Sequence, residues 1–271
     1  MVASGRVVPR CLTIAGSDSG GGAGIQADLK AFVRLGCHGM SAVVALTAQN
    51  TLGVTAIHEV PPEFVRAQLE AVFVDIGVDA AKTGMLFSAQ TIESVCDFLE
   101  THPVPLVVDP VMVASSGDRL LRAEAVAVLV TRLFPLATAV TPNLHEACAL
   151  AGVTYDETVE RRGLAEAIHA LGARAVIVTG GHGAQAVDWL FDGKRHVAIP
   201  VPRYSEAATH GSGCTHSAAL TALLALGEDL EPAARGAAEI ASEAVRHGLA
   251  GIGSGIGPVD VFGIEEGLGA R

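Results

Sequence analysis

Short apolar runs alternate with segments of helical period along almost the whole chain, and this alternation restricts the fold more than any single motif. Such a pattern builds βαβ units, in which a mainly parallel sheet is covered by helices on both faces. Strands are predicted near 10–15, 40–46, 80–83, 106–109, 137–141 and 175–179. Helices are predicted over 24–35, 63–76, 91–100, 123–133, 144–151, 159–171, 214–226 and 232–249. The segments 187–191 and 195–200, split by Asp192-Gly193-Lys194, read as an antiparallel pair joined by an Asp-Gly turn, and 51–60 reads as a small β flap beside the sheet.

No repeat, low-complexity tract or polar linker breaks the series, so residues 1–271 are expected to form a single α/β domain. With 50% hydrophobic, 17% charged and 4% aromatic residues, the core is one of Ala, Val, Leu and Ile rather than of rings, and intrinsic disorder is excluded. The net charge of −11 opposes attraction to nucleic acid or to anionic lipid. The longest apolar stretch, 217–226, is about half of what a membrane span needs, and no long apolar run precedes Ser17. A cytoplasmic protein with no membrane or nucleic-acid partner is expected. Five cysteines without a CxxC pair argue against a disulfide framework or a cysteine zinc site. Cys11, Cys37, Cys96 and Cys148 are expected in the core, and Cys214 is set apart by its context.

In an open α/β sheet, ligands bind beyond the C-terminal ends of the strands, and the loops there hold the unusual residues. The first, Gly16 to Gly24, carries five glycines among nine residues and leads from strand to helix. It contains GxGxxA at Gly22 to Ala27, yet no acidic residue lies between Asp28 and Glu59 to hold a ribose, so a dinucleotide site is excluded. A Walker A loop is excluded too, because none of the three lysines stands in GxxxxGK[ST]. The remaining reading is close approach of backbone to a ligand.

The second loop, Thr209 to Thr215, stands before an apolar helix. Small residues Gly211, Ser212 and Gly213, amides without an intrahelical acceptor and the positive end of the helix dipole make it an anion cradle. A thiol there, Cys214, is expected to have a depressed pKa and to accept a proton; an inert packing cysteine is the plainer alternative. Asp109 ends an apolar strand, and Asn143 and Glu146 share a helix face, so the three together suit hydrated Mg²⁺. A capping box between Asn143 and Glu146 is the competing account. The ten histidines form no zinc pattern; His182, just past a strand, reads equally as pocket lining or as a turn residue.

The motifs AGSDSGGGAGIQADLK, TAQNTLGV, AAKTGML, VVDPVM, TPNLHEA and ATHGSGCTHSAAL, in this order, resemble those of the hydroxymethylpyrimidine and phosphomethylpyrimidine kinases of thiamine biosynthesis. The resemblance spans nearly the whole chain. It implies a ribokinase-like domain, ATP as phosphoryl donor, Mg²⁺ as cofactor, hydroxymethylpyrimidine as acceptor and a homodimer. It further implies pyrimidine contacts from Gly16, Asp28, Gln49, Met85 and Val111, with Asp109, Asn143 and Glu146 in the Mg²⁺ and phosphate region. Gly211 to Cys214 match the anion hole, where sugar-kinase relatives carry an aspartate base. Two residues depart from the family pattern: Thr179 stands where lysine is usual, and Ala208 where asparagine is usual. Threonine can still bond phosphate, so Thr179 is kept as a nucleotide contact. The alternatives are a pyridoxal or pyridoxine kinase of the same branch, an ATP-dependent nicotinamide-hydrate dehydratase and a nonenzymatic pyrimidine sensor.

Overall fold

The computed structural model describes residues 8–113, 117, 120–122, 124–156, 158–180, 186–202, 204 and 208–264. Within these, nine strands form one sheet in the order β3-β2-β1-β4-β5-β6-β7-β8-β9. The strands are β1 (Arg10–Ser17), β2 (His38–Asn50), β3 (Gly53–Glu59), β4 (Ala80–Thr83), β5 (Leu106–Val108), β6 (Ala139–Val140), β7 (Val176–Val178), β8 (Val187–Phe191) and β9 (His196–Pro200). Pairing from β2 across β1, β4, β5 and β6 to β7 is parallel. The edges are antiparallel: β3 on β2, and β8 and β9 beyond β7.

Successive strand residues point to opposite faces, and the helices divide accordingly. On one face, Leu12, Ile14, Val108 and Val178 pack with residues of α2 (Pro62–Ala71), α3 (Ala89–Leu99), α5 (Leu144–Ala151) and α6 (Arg161–Ala170). The short α4 (Ala125–Val128) adds Ala125 to that layer. On the other, Val107, Ala139 and Ile177 meet α7 (Ser212–Ala225) and α8 (Leu230–Arg246), while Cys11 meets α1 (Gly24–Arg34) and α7. Every residue of α7 from Thr215 to Leu223 is buried, which is why its sequence is apolar nearly all round. Helix α7 is thus held between the sheet, α1 and α8, while its first turn, Ser212 to Cys214, stays partly exposed.

Three expectations are revised. The 51–60 segment is no separate flap: β2 runs on to Asn50, turns through Thr51 and Leu52, and pairs with β3 from Ala45–Glu59 to Asn50–Gly53, so the hairpin is the edge of the sheet. Second, the helical pattern over 63–76 ends in a wide π turn, Val72–Ile76, and that over 123–133 likewise ends in Leu129–Leu133. The second turn keeps Leu129 and Leu133 buried, whereas the first buries none of its residues and leaves Val74 and Ile76 exposed. Third, α7 begins two residues earlier than its predicted start, at Ser212. The hairpin β8–β9 forms as predicted, with Asp192 accepting the amides of Lys194 and Arg195 around Gly193. Cys11, Cys37, Cys96 and Cys148 are buried as free thiols. Among the described residues no helix is long and apolar enough to cross a membrane.

Candidate active site

The ends of β1, β4, β5, β6 and β7 and the head of α7 open into one cleft, and all the predicted site residues line it. Gly16, Asp28, Gln49 and Met85 stand on its β1 side, Val111, Asp109, Asn143 and Glu146 across the centre, and Thr179 beyond them. Gly211, Ser212, Gly213 and Cys214 form the facing wall. His182 lies outside the described residues.

On the β1 side a chain of buried side chains underlies the cleft. Asp28, fully buried on α1, accepts Thr13 Oγ1 at 2.6 Å and Lys82 Nζ at 2.7 Å. Lys82, also fully buried, donates to Ser217 Oγ at 2.8 Å, and Ser217 passes its proton to Asp109 Oδ2 at 2.9 Å. Asp109 Oδ2 is also 3.7 Å from Lys82 Nζ. One cation is therefore shared by two carboxylates, which answers the cost of burying them. Burial raises the Asp28 pKa above the usual carboxylate range although Lys82 and Thr13 oppose it. Burial would lower the Lys82 pKa, but Asp28, Cys214 and Asp109 together hold it above the usual lysine value, so the ammonium is permanent.

The glycine-rich loop after β1 is wound around a second buried carboxylate. Asp18 accepts the amides of Gly20, Gly22 and Ala23 at 2.7, 3.0 and 2.8 Å, and His210 Nε2 lies 3.0 Å from its Oδ2. Burial pushes its pKa up, but His210 and these amides outweigh it and hold the group below the ordinary aspartate value. Gln49 reaches the cleft through a register shift in β2 between Ala48 and Gln49, a bulge of the kind that re-aims a side chain. Ser19 fixes this backbone by donating its hydroxyl to the Gln49 carbonyl and accepting the Gln49 amide, both at 2.8 Å. Opposite, Gly16 donates its amide to the Met85 carbonyl at 3.1 Å, which ties the β1 and β4 loops together.

The α7 head has Gly211 as N-cap at φ 84°, and a Cβ there would collide with the Gly22 carbonyl, so glycine is required on both counts. The Ser212 amide is given to the Thr209 carbonyl at 3.1 Å, so the cradle expected of three small residues rests on the amides that follow it, Gly213 and Cys214. The expected depression of the Cys214 pKa is overturned. The thiol is ringed by protein although the residue keeps some exposure, and burial drives it up to about 12. Lys82 and an amide bond from Gly24 lower it, while Asp28 and Asp109 raise it further. A helix dipole favours thiolate, but burial of the sulfur with two carboxylates nearby outweighs it.

At the far end, Asn143 and Glu146 make the capping box of α5: Asn143 Oδ1 accepts the Glu146 amide and Glu146 Oε2 the Asn143 amide, both at 3.0 Å. Glu146 Oε1 accepts the Met112 amide at 3.4 Å. Burial and the neighbouring Asp109 push Glu146 up to about 8. Capping therefore uses these side chains without removing the facing pair of buried carboxylates. Thr179 donates its amide to the Pro142 carbonyl at 2.9 Å, and Ala208 is buried against Gly248.

Sequence reasoning missed Lys82, Ser217, Asp18, His210 and the buried pair Asp188–His216, whose carboxylate and ring nitrogen lie 3.2 Å apart in the cleft wall. Asp188 also accepts the Gly180 amide at 2.6 Å, which fixes the chain after β7. Lys82 carried a usable signal, since a lone lysine in an apolar strand needs a buried partner.

A directional polar recess beside a helix end that offers amides to an anion, with paired carboxylates between them, defines the class: a group-transfer site for a small molecule and a phosphorylated partner. A family model described as phosphomethylpyrimidine kinase matches residues 18–260. The hydroxymethylpyrimidine/phosphomethylpyrimidine kinase of Streptomyces coelicolor is 49% identical over 253 residues, 93% of this chain and 94% of that protein. A thiamine biosynthesis bifunctional protein of Geobacter sulfurreducens is 50% identical, covering 92% of this chain and 51% of its own length. An ADP complex of Bacillus subtilis pyridoxal kinase superimposes with a TM-score of 0.87 at 38% identity, over 95% of this chain and 99% of that one. The chain belongs to the phosphomethylpyrimidine kinase family.

Proposed function

We propose that this protein transfers the γ-phosphoryl group of ATP to the hydroxymethyl oxygen of 4-amino-5-hydroxymethyl-2-methylpyrimidine, and then to the resulting monophosphate, in thiamine diphosphate synthesis. The observation that carries the reading is the sharing of one cleft by Asp28 and Gln49 on the β1 side and the α7 amides opposite, with Cys214 between them. An aminopyrimidine edge offers both donors and acceptors, which an acid and an amide complement. The family match and the named activities of the relatives support the same substrate class.

Phosphoryl transfer passes through a loose transition state, so the protein's work is positioning and charge stabilisation. In this reading Gly16, Met85 and Val111 hold the ring, while Gly211, Ser212 and Gly213 shape the wall that brings amides to the transferring group. Cys214 takes the hydroxyl proton from its thiolate form, a small fraction at neutral pH because burial holds the thiol high, so its own proton leaves to solvent before the new bond forms. Asn143 and Thr179 flank the nucleotide phosphates. Asp109 and Glu146 are hard oxygen donors buried near enough for Asp109 to raise the Glu146 pKa, and they are the residues that would hold a divalent cation. When bound there, Mg²⁺ would supply neutralisation of phosphate charge. A cytoplasmic homodimer, with residues 1–271 as one kinase domain, completes the proposal.

The likeness to a pyridoxal kinase favours a second reading, phosphorylation of pyridoxal at its own hydroxymethyl group. ATP consumption measured with hydroxymethylpyrimidine, its monophosphate, pyridoxal and ribose decides between them. Hydroxymethylpyrimidine is expected to give the highest kcat/KM; a tenfold preference for pyridoxal, about 1.4 kcal/mol in transition-state binding, would reverse the order. Light scattering during size exclusion tests the dimer.

A further inference from the structure

We infer that Thr47 and His210 are positioning residues that lock the Gln49 carboxamide in one orientation, with its NH₂ towards Thr47 and its oxygen towards His210, so that the recess has a donor side and an acceptor side. The inference rests on the reading above, in which Gln49 touches the acceptor molecule.

The protons available around Gln49 fix its orientation. As placed, Gln49 Oε1 lies 3.1 Å from Thr47 Oγ1 and Gln49 Nε2 lies 3.5 Å from His210 Nε2, and the count of protons around them favours exchanging the two ends. The Thr47 hydroxyl has a single proton, and a carbonyl oxygen, that of Ser17, lies 2.9 Å from it. A backbone carbonyl is an obligatory acceptor with no second proton to offer, so the hydroxyl gives its proton to Ser17 and meets Gln49 with a lone pair. The group facing Thr47 must then be a donor, the amide NH₂.

The other end obeys the same rule. His210 Nε2 lies 3.0 Å from Asp18 Oδ2, and Asp18 already accepts the amides of Gly20, Gly22 and Ala23 as a carboxylate does. His210 Nε2 therefore carries a proton directed at Asp18, and an NH₂ at 3.5 Å would set donor against donor. An amide oxygen there instead takes the second, longer branch of the same N–H. The opposite placement of the amide violates the count at both ends, and the two ends are independent. Amide oxygen and NH₂ are alike in size and shape, so the hydrogen-bond network decides between them.

The consequence is a polarity for the recess. The second N–H of Gln49 is left for a ligand acceptor on the Ser17 side, and the second lone pair of its oxygen for a ligand donor on the His210 side. A ring nitrogen flanked by an exocyclic amine meets this order in one orientation only. The Asp18–His210 pair also joins the β1 loop to the loop preceding α7, so orientation at Gln49 is linked to placement of the anion cradle.

Neutron diffraction from deuterium-exchanged crystals of the ligand-free protein tests the orientation without any substrate. Two deuterons on the Gln49 atom nearest Thr47, and one on His210 Nε2, are expected; deuterons on the atom facing His210 would overturn the inference. Kinetics test its use. Thr47→Val should raise the pyrimidine KM about tenfold by leaving an amide N–H unpaired, moving kcat and the ATP KM much less, and Thr47→Ser should restore the parent value. If Gln49→Ala raises the pyrimidine KM but Thr47→Val does not, the positioning role fails. If Gln49→Ala itself leaves that KM unchanged, the Gln49 contact of the preceding section fails, and the diffraction result still judges the orientation.

Discussion

The two ends of the cleft are built on different principles. The β1 end is held by side chains bonded across long stretches of chain: Lys82 to Asp28 and to Ser217, Ser217 to Asp109, and His210 to Asp18. The far end is held by local backbone devices, the α5 capping box and the N-terminus of α7. A network fixes a shape and a charge pattern matched to one ligand, and it fails as a unit when one member is lost. Caps and helix ends offer amides to any anion, so they tolerate change and supply affinity without much selectivity. On the proposed reading, recognition belongs to the wired end and phosphate handling to the capped end, with Cys214 where they meet.

The sharpest break is at that junction. Cys214→Ser should leave stability and ATP binding near the parent values and reduce kcat by roughly two to four decades, the range of general-base loss. With the thiol at about 12, the parent rate should rise with pH through the neutral and mildly alkaline range. It should show none of the plateau that a thiolate already formed at neutral pH produces. A plateau below pH 7 in a stopped-flow pH profile would return the thiolate to the ground state.

Within the wired end, Lys82→Met leaves Asp28 and Asp109 facing each other without their cation. A loss of about 3–5 kcal/mol is expected in the denaturant midpoint analysis, as when one partner of a buried pair is removed. Adding Asp28→Asn should recover part of it. An unchanged midpoint in Lys82→Met would mean that the carboxylates are neutral and that the network carries no charge.

The capped end should instead report through its cation. Glu146 rises in the fold from its ordinary 4.5 to about 8, so in metal-free protein the folded state binds the extra proton between those values. Its contribution is therefore present below pH 4.5 and is lost as pH rises through 8. The melting temperature of chelator-treated protein should fall across this window relative to Glu146→Gln. Mg²⁺ should restore it in the upper half, where the carboxylate form binds metal. Superimposed curves with and without Mg²⁺ would remove Glu146 from the cation site.

The smallest effect is expected at Thr179. Thr179→Lys exchanges a neutral contact for a charge-assisted one, a gain of about 1 kcal/mol, or roughly fivefold in the ATP KM. The pyrimidine KM should stay where it is, and a shift in it would show that the two ends are less separate than their construction suggests.

The same division explains what could be read from the chain. Glycine spacing, the Asn143 to Glu146 interval and an apolar run after Gly211 are local signals, and the capped end follows from them. The β8–β9 hairpin was legible in the same way, from Asp192-Gly193. The union of Lys82 with Asp28 and Ser217 spans segments that only the sheet order brings together, and no spacing encodes it. Cys214 shows the cost of local reading: a helix N-terminus predicts a low pKa, whereas burial and two carboxylates contributed from elsewhere in the chain set it high. The hairpin of 51–60 was misplaced for a related reason, since its period is that of any two-stranded ribbon and nothing local says that β2 continues into it.

The high thiol pKa has a chemical consequence outside turnover. Peroxides and electrophiles attack thiolate, and a sulfur that keeps its proton at neutral pH is a poor target. Of the five cysteines, four are shut in the core and the fifth, at the cleft, is held in its inert form. An aspartate base would be immune to oxidation by composition; here the surroundings of Cys214 keep its proton on and so slow the attack instead. Oxidative challenge should therefore inactivate the protein slowly, and faster with each step of alkalinity.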